Sequence, residues 1–164
     1  MNSKIYGITK AAMIAAIYAG LTLLAASWSF TANQFRFSEA LTILPVFTPY
    51  AIPGLTVGCF ISNLASPVGI LDFVFGTLAT LLSAICTRAL RNVRIRNIPI
   101  LAPLPPVIFN AVIVGWLISY TMPEGFTLAA FAASALSVGF GEFIVCYVLG
   151  LPLAIAIEKS GLKL

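Results

Sequence analysis

Glu142 is the residue whose chemistry most needs explaining. It stands in the string Val138-Gly139-Phe140-Gly141-Glu142, deep within a long apolar run. A charge at the centre of a bilayer costs at least ~2.5 kcal/mol, and such residues usually face a bundle interior or a cavity. Gly139 and Cys146 flank it at i−3 and i+4, a small-residue face with room for a ligand or another helix. Two readings stand: contact with a ligand, or a protonated carboxyl donating a hydrogen bond to a neighbouring helix. Asn110 lies midway along another apolar run, with Phe109, Trp116 and Tyr120 on an adjoining helical face. Those rings suit stacking over a flat ligand. They suit packing and interfacial anchoring equally, and anchoring is the reading for Tyr120.

Arg36, Glu39, Asn63 and Asp72 fall in or beside polar turns. Arg36 and Glu39 are three residues apart, a spacing at which they can pair. Asp72 opens an apolar run, where a carboxylate caps a helix N-terminus. Together the four bring polar groups from separate segments to one side of the molecule, a pattern suited to capturing a polar solute. Catalysis finds no such support. The chain has no histidine, the commonest general base and metal ligand. Cys59, Cys86 and Cys146 are widely spaced within apolar runs, giving neither a disulfide framework nor a metal motif. Nucleophile elbow, phosphate loop and zinc signatures are missing. The expectation is a non-enzyme without cofactor or metal.

The elements that must position these residues are membrane helices. Hydrophobic residues make up 60% of the chain and charged residues 9%, against about 25% charged in soluble domains; mean hydropathy is +1.06. Spans need roughly 20 apolar residues each, so the 164 residues are expected to form one membrane-embedded domain, 1–164, with five or six spans. The first helix is expected from Ile8 to Phe30, followed by a polar stretch from Thr31 to Glu39. Ala40 to Phe47 and Gly54 to Leu64 are short apolar segments punctuated by Pro45, Pro49 and Pro53. Ile70 to Leu90, Leu101 to Met122 and Phe126 to Ile157 are full spans, the last bent near Pro152.

Positive charges fix the topology. Lys4 and Lys10, the cluster Arg88, Arg91, Arg94 and Arg96, and Lys159 and Lys163 all mark cytoplasmic segments. Both termini and the Arg loop are then cytoplasmic, so the number of crossings between Lys10 and Arg88 is even. One kinked helix over residues 40–64 would make it odd, so the chain is expected to be all-α with six helices, the second and third short and proline-broken. Such segments are tolerated where they are buried in protein or line a cavity. On the first helix Ala11, Ala15 and Ala19 form a stripe at spacing four, repeated one step on by Ala12, Ala16 and Gly20. Small residues so spaced let another helix approach closely, within the bundle or from a partner.

The stretches Gln34–Pro45 (QFRFSEALTILP), Pro53–Cys59 (PGLTVGC) and Leu71–Thr80 (LDFVFGTLAT) resemble the QueT family. The likeness covers nearly the whole chain. Members are substrate-binding components of energy-coupling factor transporters assigned to the uptake of queuosine precursors. The resemblance implies a multi-pass protein of the bacterial plasma membrane with cytoplasmic termini. It implies capture of a 7-deazaguanine from outside, then delivery with a transmembrane coupling protein and two ATPase subunits. It further implies that Ala11, Ala15 and Ala19 dock the coupling protein and that Asn33 to Glu39 form a lid. For such a solute, Glu142 would accept the two adjacent N–H donors of the guanine-like edge. Asn110 would complete that edge and Trp116 would stack on the ring. An aminomethyl substituent would find Asp72 or Glu39. Alternatives are another vitamin-like solute in the same class, a standalone proton-coupled carrier using Glu142, and a scaffold without ligand.

Overall fold

The computed structural model describes residues 3–26, 36–66 and 69–162. Among these residues the chain forms six helices and no strand, Ile95 and Ile98 making only an isolated bridge. Helix α1 is Ser3–Leu24. Helix α2, Phe37–Val46, is wound as a 3-10 helix, and α3 is Ala51–Asn63. Helices α4 (Ile70–Asn92), α5 (Leu104–Thr121) and α6 (Leu128–Ser160) follow. Four of the six, α1, α4, α5 and α6, are long and apolar enough to cross a membrane.

The two short helices match the expected proline-broken pair, but each starts three residues earlier than expected, α2 at Phe37 instead of Ala40 and α3 at Ala51 instead of Gly54. The segment assigned to a polar loop through Glu39 thus already belongs to α2 from Phe37 onward. Ten residues of 3-10 helix extend about 20 Å, against about 15 Å for an α-helix of that size. Tight winding thus carries α2 deeper than its residue count suggests, though still short of a hydrocarbon core of ~30 Å. Seven of its residues, Ser38, Glu39 and Thr42–Val46, are buried, so α2 is an interior plug. Pro53 sits in the first turn of α3, where a missing N–H leaves no bond unmade.

Contacts at the ends show that the six helices alternate in direction. Gly7 of α1 lies against the ring of Tyr50 in the α2–α3 turn. Arg88, in the last turns of α4, donates to Pro45 O and Val46 O at 2.9 and 3.1 Å. Those are carbonyls at the C-terminal end of α2, which the helix cannot satisfy itself. Arg94 pairs with Glu158 near the end of α6. The N-terminal end of α1, the α2–α3 turn, the Arg loop and the end of α6 therefore gather at one end of the bundle. Arg94, Arg96 and Asn97 shape that loop: Arg96 and Asn97 have φ of 52° and 64°, a tight reversal between Ile95 and Ile98. The helix count and this clustering agree with the parity argument from charge.

Packing is inverted relative to a water-soluble protein. On α6, Leu136 and Phe140 are 76% and 65% exposed while Glu142, on the same helix, is 2% exposed. Apolar side chains face outward toward lipid, and polar ones face in. Close approach of α1 and α3 makes this possible. A Cβ on Gly54 would lie 2.8 Å from Ala11 O, and one on Gly58 would lie 2.8 Å from Ala15 O. Ala15 and Ala19 are buried there, so at these positions the alanine stripe serves packing within the chain.

Helices α5 and α6 each contain a widened π segment, Asn110–Val114 and Val145–Gly150. The second lies just before Pro152, where a bend was expected. Proline cannot donate to the carbonyl four residues back, and the helix absorbs the gap by local rewinding. Gly58→Val should lower stability in detergent by about 1–3 kcal/mol or prevent folding. Gly20→Ala, where an added Cβ meets nothing within 4 Å, should leave it unchanged. Thermal unfolding of the purified variants measures both.

Candidate functional site

Six of the seven sequence-predicted polar and aromatic site residues converge inside the bundle. Arg36, Glu39, Asn63, Asp72, Asn110 and Glu142 are each no more than 4% exposed. They come from α2 and its N-cap, α3, α4, α5 and α6. The central partner supplied by α1 is Tyr18, fully buried, whose phenol donates to Glu39 Oε1. One turn on, Thr22 Oγ1 meets Ser38 Oγ at 2.6 Å, tying α1 to the start of α2 a second time.

Arg36, the N-cap of α2, donates to Asp72 Oδ2 at 3.2 Å, both side chains being buried. Two local expectations are corrected here. Arg36 pairs with Asp72 across the bundle, where pairing with Glu39 three residues on was one reading. Asp72, in the first turn of α4, turns inward to that guanidinium and makes no side-chain cap: its Oδ2 accepts from Arg36 and its Oδ1 has no hydrogen-bond partner. Burial decides the matter: a desolvated guanidinium attracts a carboxylate far more strongly than backbone N–H groups facing solvent or headgroups.

Asn63, Asp72 and Gly76 form an interlocked set. Asn63 Nδ2 donates to Asp72 O at 3.1 Å and to Cys59 Sγ at 3.4 Å. A Cβ on Gly76 would lie 2.7 Å from Asn63 Nδ2 and 2.8 Å from Asp72 Oδ1, so only glycine leaves room for these two groups. Thr80 Oγ1 completes the set, 3.2 Å from Cys59 Sγ.

Around Glu142 the link is a thiol. Cys146 Sγ lies 3.6 Å from Glu142 Oε2, 3.7 Å from Glu39 O and 3.8 Å from Thr42 Oγ1. The residues that carry two of the buried carboxyl groups therefore meet at one sulfur. Asn110 stands beside Glu142 at the first residue of the π segment of α5, without closing a well-formed hydrogen bond to it. π segments aim side chains out of α-helical register and recur at functional sites.

This network is not saturated. Glu39 Oε2, Asn63 Oδ1, Asp72 Oδ1 and Asn110 Nδ2 are buried without a hydrogen-bond partner. Buried polar atoms in folded proteins are almost always paired. Four such atoms in one cluster are what an interior prepared for a polar ligand would show. Among the described residues no group of three or more Cys, Asp and Glu is arranged to hold a metal ion.

Trp116, the seventh, is not part of the hydrogen-bonded network. It is half-buried on α5, its ring stacked on Tyr120 at 5.2 Å and edge-on to Phe75 at 5.3 Å. Tyr120 is 55% exposed, in keeping with an anchoring role. The expected lid also changes character. Residues 33–35 lie outside the described residues, while Arg36, Ser38 and Glu39 are buried at the start of α2 and Phe37 between them is exposed. Tyr18, Thr42, Cys59 and Thr80 were not singled out as site residues. Three of them carry a sequence signal, a polar or thiol group repeated at i, i+4 in an apolar helix, as in Tyr18/Thr22, Ser38/Thr42 and Cys59/Asn63; Thr80, between Gly76 and Ala84, does not.

A groove of about 610 Å³ lies outside this cluster, between α1 and α3. Ala11, Ala12, Ala15, Tyr50, Pro53 and Val57 line it, with Lys4 at one end. Its walls are apolar and hold no carboxyl group, so it suits an apolar surface, not a polar solute.

A family model described as QueT transporter matches residues 8–159. The Queuosine precursor transporter QueT of Lactococcus lactis subsp. cremoris (strain MG1363) is 38% identical over 82 residues, which cover 49% of this chain and 48% of that protein. The match thus spans about half the length of that curated relative. No solved structure matches the chain.

The buried ion pair makes its own prediction. Arg36→Met should destabilise the protein by about 3–5 kcal/mol, because it strands the Asp72 carboxylate. Arg36→Met with Asp72→Leu should recover most of that loss. Unfolding midpoints of the two variants in the same detergent decide it.

Proposed function

The chain belongs to the QueT transporter family, and from that premise we propose that it captures a queuosine precursor, a 7-deazaguanine, in the polar cluster inside the bundle. The observation that carries this reading is the set of buried, unpartnered polar atoms on Glu39, Asn63, Asp72 and Asn110. In an apolar bundle each of them costs roughly 1–3 kcal/mol unless something pairs with it. A flat heterocycle rimmed with donors and acceptors supplies such partners.

In this reading Glu142 faces the guanine-like edge, with its two adjacent N–H donors, and Asn110 completes that edge. Trp116, backed by Tyr120, supplies a stacking surface. Arg36 and Asn63 fix the walls by holding Asp72. Solute enters from the end opposite the Arg loop, which together with both chain termini is cytoplasmic.

Delivery uses a transmembrane coupling protein and two ATPase subunits, the partners that the resemblance implies; this chain itself carries no phosphate-binding loop. The coupling protein docks along the groove between α1 and α3. Its apolar lining and small residues, Gly7, Ala11 and Ala12 among them, permit close approach of a helix. Of the alanine stripe, Ala11 is half-exposed, whereas Ala15 and Ala19 act mainly by holding α1 against α3.

Calorimetric titration of the detergent-purified chain tests capture directly. Saturable binding of 7-cyano- or 7-aminomethyl-7-deazaguanine or queuine, with none of guanine or thiamine, is the expected result. A folded sample that binds no deazaguanine would overturn it. Glu142→Gln should weaken binding at least several-fold, and unchanged affinity would remove Glu142 from the site. Ala12→Trp, at an exposed groove position, should abolish co-purification with the coupling protein while solute binding persists.

A further inference from the structure

The charges of the cluster do not balance. The chain has five acidic residues. Glu158 pairs with Arg94, and Glu124 is exposed in the α5–α6 turn. The other three, Glu39, Asp72 and Glu142, are buried at 0–2% exposure. Facing them is one guanidinium, Arg36, which is bonded to Asp72. The remaining basic residues of the described segments belong to the first turns of α1, the Arg loop and the end of α6, at the opposite end of the bundle. Residues 27–35 and 67–68 contain no charged residue in sequence, so they bring no further cation.

The groups around the two remaining carboxyls can be named helix by helix. Helix α1 presents Tyr18, α2 presents Arg36, and α3 presents Cys59. From α4 comes Asp72, already engaged by Arg36, and from α6 comes Cys146. Helix α5 presents Asn110, which does not titrate. None of these supplies a second positive charge. A buried carboxylate without a counter-charge is expensive enough that the group keeps its proton or finds a cation. Glu39 is the one with an unpaired oxygen. Tyr18 holds its Oε1, while its Oε2 is buried and unpartnered. Glu142 lies beside the same segment: Cys146 Sγ is 3.6 Å from Glu142 Oε2 and 3.7 Å from the Glu39 backbone carbonyl.

We propose that the site selects a 7-deazaguanine bearing a protonated alkylamine, with Glu39 Oε2 accepting from the ammonium group and Glu39 releasing its proton to solvent on binding, beyond any proton that Glu142 gives up to meet the guanine-like edge of either solute. This rests on the capture function above and assigns the chemical form of its solute. The step balances. An ammonium ion enters, the Glu39 carboxylic acid becomes a carboxylate, and its proton leaves to water. A neutral nitrile in the same position brings no charge to Glu39 and leaves that proton in place.

The test is calorimetry of the intact chain with 7-aminomethyl- and 7-cyano-7-deazaguanine in buffers of different ionisation enthalpy. The aminomethyl compound should release one proton more per molecule bound than the cyano compound. Its affinity should rise about tenfold per pH unit relative to the cyano compound over the range where Glu39 remains protonated when the site is empty. Glu39→Gln should remove the extra proton and shrink the ratio of the two affinities by at least tenfold. Equal proton counts and parallel pH profiles in the unaltered protein would overturn the proposal while leaving solute capture intact. Failure of both compounds to bind a folded sample would overturn capture and this proposal together. The unaltered protein alone decides between these outcomes, so the test survives misfolding of the variant.

Discussion

A polar group enclosed by hydrocarbon and protein has no water to fall back on, and the architecture of this bundle follows from that constraint. Arg36 is the extreme case. Its guanidinium is buried at the N-cap of α2, and the Asp72 carboxylate at 3.2 Å makes that burial tolerable. From this pair the constraint spreads outward. Asp72 must face inward, so the start of α4 is held close to Asn63 of α3. Gly76 must lack a side chain, because Asn63 and Asp72 occupy the space a Cβ would take. Glu39, one turn along α2, must meet Tyr18, which sets the rotation of α1.

Two departures from α-helical geometry answer the same demand. Winding α2 as a 3-10 helix lengthens it, so ten residues reach from the Arg36–Asp72 pair to the far end, where Arg88 satisfies its last carbonyls. The π segments in α5 and α6 change the phase of each helix at Asn110 and just beyond Glu142. Each keeps apolar residues turned toward lipid on both sides of a polar insertion. The glycines of α3 serve a complementary need, bringing α1 near enough for Tyr18 to reach the interior.

Under the capture function proposed above, these features of a QueT transporter family member share a purpose: polar groups are held in readiness inside an apolar body without all being neutralised against one another. Partial saturation is the physical form of that compromise. Tyr18, Cys146 and Asn63 each hold part of a neighbour's bonding capacity, and four buried atoms remain open. A fully paired network would favour stability over binding.

Much of this was legible in sequence. Hydropathy gave the membrane class and the long spans, because lipid exposure demands unbroken apolar runs. The placement of Lys and Arg, with the prolines at 45, 49 and 53, gave the six-helix count, because charge placement limits the parity of crossings. Glu142, Asn110 and the group from Arg36 to Asp72 were visible because polar residues in such a chain need a reason. Tertiary structure alone decided the pairings. Local spacing suggested Arg36 with Glu39 and Asp72 as a cap, yet helices distant in sequence outbid both, since desolvation strengthens whichever opposite charge lies nearest in space. Tyr18 and Cys146 joined the site for the same reason: their roles depend on which helix each one faces. Sequence periodicity records which residues face inward, but not what they meet there.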